Sequence, residues 1–400
     1  MSARAPAAAA PVVGAASSFW RRVAHGDVGS LPVIAGLVLI WTVFDSLNPN
    51  FLSPRNLTNL TVQVTDMGII SIGIVLVLLL GEIDLSVGSV YGLGSSVMAV
   101  LSVKHGWPAG PAIAAGILTG TVIGALQGTW FTLLRIPSFV VTLAGLLTWF
   151  GAQLLVLGET GTINIYDPTL DGLAGQLYPA SFGWGLAGAT MLVLVVDIFI
   201  RRRRRAINGL PPSGIVGEIV RFVIISAVIL GATAILASDR GVPLALLILL
   251  ALLVVFDLIT TRTTFGRHIF AVGGNAEAAR RAGISVTRIR IAVFALCGTM
   301  AAAAGIMGAS RLFAVNYSSG TGDVLLNAIA AAVIGGTSLF GGRGTVWSAL
   351  TGALVIGSIN NGLALLNVNA DIKYMITGGV LLAAVTIDAV ARRGRQAAGV

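Results

Sequence analysis

Residues 62–80, VQVTDMGIISIGIVLVLLL, followed by GEIDLSVGS at 81–89, decide the fold class. The run carries a single charged residue, Asp66, and comes close to the ~20 predominantly apolar residues that a helix needs to cross a bilayer. Working outward, comparable runs cover 31–47, 85–103, 109–134 and 138–157. Further along come 182–200, 222–237, 242–259, 291–310, 324–339, 346–366 and 374–390. They predict an all-α, polytopic membrane helical bundle of about 12 transmembrane segments. The run 324–339 is short and leads into GGTSLFGGRG, so it either spans or re-enters.

The composition agrees. Of 400 residues 56% are hydrophobic and 10% charged, against roughly 25% charged in soluble chains, and the mean hydropathy is +0.93. The length is used up by the spans and their connections, which leaves no room for a sizeable soluble domain. The net charge of +9 reflects loop placement. With the N-terminus inside, Arg55, Lys104, Arg240, Arg311 and Lys373 fall outside, and the rest of the 25 basic residues fall in cytoplasmic connections or tails. Both termini are therefore expected in the cytoplasm, and a nucleic-acid footprint on a soluble basic face is excluded. The expected organisation is a disordered cytoplasmic tail over 1–30, one transmembrane domain over 31–392 with a cytoplasmic loop at 260–290, and a tail at 393–400. Pro11, Gly14, Arg21 and Arg22 argue against a cleaved signal peptide at the start.

Several chemistries have no residues to support them. The chain has no GxxxxGK[ST] phosphate loop and no HExxH, and His25, His105 and His268 stand apart, so neither a metal nor another cofactor is implied. Cys297 is the only cysteine and sits in an apolar run, which excludes an internal disulfide. Gly116, Gly120 and Gly124 recur at every fourth residue, as small residues do where helices pack closely in lipid.

Three stretches carry the remaining signal. In GEIDLSVGS, Glu82 and Asp84 stand at or near membrane depth without a nearby Lys or Arg. Such carboxylates face a cavity or a partner unless Asp84 or Ser86 merely caps the next helix. Residues 260–290 are far longer than a helix turnaround. In them Asn275 can cap a short helix over 276–282 that ends at Gly283, with Glu277, Arg280 and Arg281 available for docking. The third, AIAAAVIGGTSLFGGRG at 328–344, follows Asp323 and Asn327 and is dense enough in glycine for backbone to meet backbone. Asp66 is either an interfacial carboxylate near a helix start or part of a polar path.

Taken with IPSFVVTLAG at 136–145 and NNGLALL at 360–366, the motifs GEIDLSVGS, TFGRHIFAVGGNAEAARRAGI (264–284) and AIAAAVIGGTSL (328–339) resemble the permease subunits of bacterial ribose/xylose-type sugar ABC importers. The resemblance spans roughly 51–392. An extra pair of spans between about 184 and 240 favours the xylose-like branch. The resemblance implies a multi-pass subunit of the bacterial inner membrane, without its own ATPase site. It would be paired with a second permease copy, a cytoplasmic ATP-binding subunit and an extracytoplasmic sugar-binding protein.

By the same resemblance, Gly266, Arg267, Gly273, Gly274, Asn275, Glu277, Ala278, Arg280 and Gly283 belong to the ATPase-coupling segment. Members of the family usually carry an acidic residue before AIAA, where this chain has Asn327. A neutral monosaccharide calls for hydrogen-bonding groups along its path. The candidates are Asp66, Asn327, Asn360 and Asn361, with Glu82, Asp84 and Ser86 lining the path or shaping its turn. The rival expectation is a proton-coupled secondary sugar transporter that works through Glu82 and Asp84.

Overall fold

The computed structural model describes residues 31–210 and 214–397, so the tail expected over 1–30 lies outside the described residues. The chain is almost wholly helical. Helix α1 (Leu31–Leu47) leads to α2 (Pro54–Leu79), whose start is set by Ser53: its side chain accepts from the Asn56 N–H, and Pro54 follows where no N–H is needed. Helix α3 (Val87–Ala99) runs on as a wider π turn, Val100–Lys104, and is followed by α4 (Ala109–Leu134) and α5 (Ser138–Leu157). Strand β1 (Thr162–Asn164), α6 (Pro168–Gly175) and β2 (Leu177–Tyr178) then lead to α7 (Ala180–Ile207) and α8 (Ile215–Ser238). Strand β3 (Val242–Pro243) enters α9 (Leu244–Arg262). Pro108, Pro137, Pro179 and Pro243 stand immediately before α4, α5, α7 and α9, where a residue without an N–H sets a helix start without losing a bond.

The second half holds α10 (Thr264–Gly274), α11 (Ala276–Arg281), α12 (Val286–Leu312), β4 (Ala314–Asn316), α13 (Val324–Ile334), α14 (Trp347–Leu365) and α15 (Ala370–Ala397). Helix α15 continues through most of the stretch expected as a tail at 393–400, and 398–400 lie outside the described residues. Among the described residues, nine helices are long and apolar enough to cross a membrane. The shorter apolar helices Pro32–Leu47 and Val324–Ile334 add to them.

Helix α12 is the axis of the bundle and packs on α2, α3 and α4. The glycine stripe of α4 explains how closely: Gly120 lies against the Gly298 carbonyl and Gly124 against that of Phe294, while Gly116 faces Gly94 of α3. A Cβ at any of these would meet backbone, so dispersion and close contact hold helices that lipid would otherwise wet equally well. Helices α7 and α8 instead pack mainly on each other at the periphery, as an inserted pair should. Both run longer than the expected 182–200 and 222–237. The arginines at 201–205 continue α7 beyond its apolar part, steadied by Arg201 on Asp197 at 2.7 Å and Arg202 on Glu218 at 2.6 Å.

The expected run 324–339 is not one helix. Helix α13 has 11 residues, about 16 Å at 1.5 Å per residue, half of a ~30 Å hydrocarbon core. It stops because Gly335 is pressed against the Ser348 backbone and Gly336 takes a positive φ of 107°. Ahead of it the chain after β4 folds along α3, where Gly88 and Gly92 leave room for the carbonyls of Gly320 and Ser319. Strand pairs β1–β4 and β2–β3, both antiparallel, tie these connections together at one end of the bundle. Helices α10 and α11 occupy the other end.

Candidate functional site: a glycine junction and a polar cavity

Thr263 caps α10 by accepting from the Gly266 N–H at 3.1 Å, and Gly266 is pressed against the carbonyls of Ile259 and Thr260, so α10 folds sharply off α9. Residues 264–274 are thus helical, where the sequence promised a loop with one short helix. Ile269 and Val272 are fully buried and give the segment an anchoring face. The second helix begins where expected: Asn275 Oδ1 accepts from the Ala278 N–H at 2.9 Å, and Gly283, at φ 84°, ends the turn after α11. Ala279 is buried, while Arg267, Gly274, Asn275, Glu277, Ala278, Arg280 and Gly283 are exposed. Glu277 bonds Arg280 at 2.6 Å and Arg281 at 3.3 Å along the helix, so this surface is a compact patch of mixed charge.

The pair of helices is mounted on backbone. Gly273 fits against the Leu79 carbonyl, leaving no room for a Cβ, and the Gly342 N–H donates to that same carbonyl at 2.9 Å. A Cβ on Gly341 would stand 2.7 Å from the Gly273 oxygen and 2.9 Å from the Gly81 nitrogen. The three stretches singled out in the sequence therefore converge on one point, where Gly81, Gly273 and Gly341 touch.

Beside this junction Glu82 binds Arg290 at 2.7 Å, and the guanidinium lies 5.8 Å from the Phe131 ring centroid. Glu82 is thus paired across the fold by a residue that sequence proximity could not reveal. Asp84 is buried, accepting from the Ser86 N–H at 2.9 Å and its hydroxyl at 2.6 Å. The turn holds Asp84 and Ser86 on each other. The Ser86 hydroxyl makes no bond to the free amides of α3, while Asp84 accepts from the N–H of Ser86, the residue immediately before that helix. That hydroxyl, with one proton to give, lies between the Asp84 carboxylate at 2.6 Å and the Gln127 Oε1 acceptor at 2.9 Å.

The other expected path residues separate into two groups. Asn327, buried in α13, donates to Asp323 at 2.8 Å, near where α13 begins beside Gly88. Asp66 lies well inside α2, 3.3 Å from the Tyr91 hydroxyl that donates to it and 3.5 Å from Arg311, so it is an interior ion pair and not a carboxylate near a helix start. Asn361 exchanges hydrogen bonds with Asn56 at 2.8 and 3.1 Å and donates to Gln63 at 3.1 Å. Asn360 is half-buried beside it on α14.

Gln63 and Arg311 then border a cavity of about 300 Å³ at the end opposite α10 and α11. Its lining mixes the polar Asn59, Arg240 and Ser310 with the apolar Val62, Leu177 and Phe313. Arg240 binds Asn59 at 2.6 Å and Asp239 at 3.0 Å. Burial works against the charge of Asp239. The hydrogen bond from Arg240, with the charges of Arg240 and Arg55, outweighs it and holds the carboxyl below its usual value. The sequence reading missed Asn59, Gln63 and Arg240. Their signal was the polar stripe Asn56, Asn59, Gln63, Asp66, spaced three, four and three residues apart on one face of α2.

Over residues 56–385 the chain matches the family described as branched-chain amino acid transport system / permease component. It is 39% identical over 365 residues to the xylose transport system permease protein XylH of Escherichia coli K12, covering 90% of this chain and 92% of that protein. It is 34% identical to the ribose import permease protein RbsC of the same organism, over 89% and 92% of the two chains. Against the L-arabinose ABC transporter permease protein AraH of Azospirillum brasilense it is 33% identical, over 94% and 93%. No solved structure matches it. A helical bundle with this many membrane-crossing helices, matched over most of its length, belongs to the transport-system permease family and is a multi-pass membrane protein.

Proposed function

We propose that this chain is the permease subunit of an ATP-driven importer of a neutral monosaccharide, a xylose-like pentose, in a bacterial inner membrane. It works with a cytoplasmic ATP-binding subunit, an extracytoplasmic sugar-binding protein and a second permease copy. Of the relatives named above, XylH, RbsC and AraH are all permeases for pentoses, and this supports the substrate class. About twelve spans with both termini in the cytoplasm place α10 and α11 on the inner face and the polar cavity on the outer one.

The observation that carries the coupling role is the mounting of α10 and α11. An exposed patch of alternating charge suits a cleft in a soluble partner, and its apolar underside is anchored by Ile269, Val272 and Ala279. The contacts among Gly273, Leu79 and Gly342 join it directly to the end of α2 and to the chain before α14. A displacement imposed by the ATPase has no soft side chain to absorb it there, so it passes to the ends of helices that line the bundle. Hydrolysis occurs in the partner, since this sequence has no phosphate loop.

A Glu277→Ala, Arg280→Ala double substitution in the assembled complex tests the contact. The ATP-binding subunit should no longer co-purify, while insertion of the permease is unchanged. Unaltered co-purification would remove these two residues from the interface. The proton-coupled rival finds less support, because Glu82 is held by Arg290 and Asp84 by Ser86. Concentrative pentose uptake by the isolated chain under a pH gradient alone would establish that rival and overturn the importer reading.

A further inference from the structure

The cavity opposite α10 and α11 is walled by groups that coupling does not use. Asn56, Asn59, Gln63 and Asp66 form a polar stripe on α2, a helix otherwise suited to lipid or to an apolar core. Polar side chains within spanning helices face water, a partner or a path. The upper member, Asn56, is consumed by Asn361, and the lower, Asp66, by Arg311 and Tyr91. The two between them border the open space.

Their orientations follow from their neighbours. Asn59 Oδ1 accepts from Arg240 and Gln63 Oε1 accepts from Asn361, so each amide has its oxygen engaged and its NH₂ left as donor. The Nε of Arg311 is buried with no partner of its own. The Asn59 and Gln63 amides therefore bring donors to a lining that also holds apolar side chains. It is not rich in net charge, because Arg240 is balanced by Asp239 and Arg311 by Asp66, with Arg55 outside the lining.

A cavity that offers donors without net charge fits a ligand with several oxygen acceptors and no formal charge. Its volume, about 300 Å³, lies at the small end of ligand sites. Phe313 stands on the rim, 53% exposed, with φ 54°. A bulky residue in the left-handed region is an outlier, and such outliers cluster where function needs them. The exposed Phe313 ring adds an apolar surface at the edge of the cavity.

We infer that this cavity is the pentose-receiving subsite of the transport path, with Asn59, Gln63, Arg240 and Arg311 as its hydrogen-bonding groups and Phe313 as its rim. The inference rests on the importer reading above. Of the residues expected along the path from sequence, it retains Asp66 and Asn361 as the groups that orient Arg311 and Gln63.

The native thiol, Cys297, is buried, so a Val62→Cys variant, at a lining position outside the hydrogen-bonding set, offers one accessible thiol on this chain for a membrane-impermeant reagent. In vesicles carrying the full complex with its binding protein, D-xylose and ATP should slow modification of that thiol severalfold. Gln63→Leu should lower D-xylose uptake about tenfold, the worth of one well-made hydrogen bond, with co-purification of the ATP-binding subunit retained. If the unsubstituted complex takes up D-xylose but the thiol is not protected, the cavity is off the path and the importer reading stands. An unsubstituted complex that moves no pentose would take down both. Should Gln63→Leu fail to assemble, protection of the cysteine variant still decides the matter.

Discussion

The two ends of this bundle are built from different materials. Where α10 and α11 dock, contact is made by backbone: Gly81, Gly273 and Gly341 meet one another, and the Leu79 carbonyl is shared between Gly273 and Gly342. At the opposite end the cavity wall is made of side chains, Asn59, Gln63, Arg240 and Arg311, held by hydrogen bonds that can be remade. Backbone contact transmits displacement and tolerates no substitution. Side-chain walls tolerate substitution and thereby tune what they bind. Under the importer reading the coupling end is the rigid one and the substrate end the adaptable one.

The sharpest way to break this contrast is at Glu82. Arg290→Ala leaves a mostly buried carboxylate without its cation beside the glycine junction, and should destabilise the protein by about 3 kcal/mol. Thermal unfolding in detergent measures the loss. The added change Glu82→Gln should recover most of it, since the cost lies in the unpaired charge. A stable Arg290→Ala protein would show that this end is looser than its geometry implies.

A smaller effect is expected from Gly273→Ala. The new methyl group meets the Leu79 carbonyl, a backbone atom that cannot rotate away, and overpacking of this kind costs about 1–3 kcal/mol. ATP-driven uptake should fall more steeply than stability, because the displaced contact is the one that carries movement. If uptake and melting temperature fell in proportion, the junction would be structural cement and nothing more.

The smallest effect lies at the opposite end and depends on pH. Asp239 has its folded-state carboxyl held below the ordinary value, so the stability it contributes is complete above the unfolded-state pKa, about 3.9. That contribution disappears as pH falls through the lower folded-state value. Melting temperatures of the protein and its Asp239→Asn variant should therefore differ near neutrality and converge in acid. A gap that widened in acid would reverse the sign and remove Arg240 as the stabilising partner.

Much of the bundle was legible because spanning helices follow from one-dimensional patterns. The runs 109–134 and 138–157 became α4 and α5, and the four-residue glycine spacing of α4 met α12 and α3 as close packing requires. Asn275 as a cap and Gly283 as a stop were also readable, since both act within a few residues of themselves. Helix α10 was obscured because its start depends on Gly266 folding beneath the end of α9. Whether the run 324–339 spans or re-enters stayed open because apolar length does not reveal that Gly335 will be stopped by Ser348.

The sequence by itself determined that this chain crosses a membrane many times, where most of its spanning helices lie, and which three stretches depart from that pattern. Each is a property of neighbours along the chain, set by hydropathy, caps and glycine spacing. Only the tertiary structure decided that Glu82 meets Arg290, that Asp66 meets Arg311, and that Asn59 and Gln63 turn their donors into one cavity. These pairings join residues far apart in the chain. A charge or amide in an apolar surrounding must find a partner somewhere, but its identity depends on which helices the packing brings side by side.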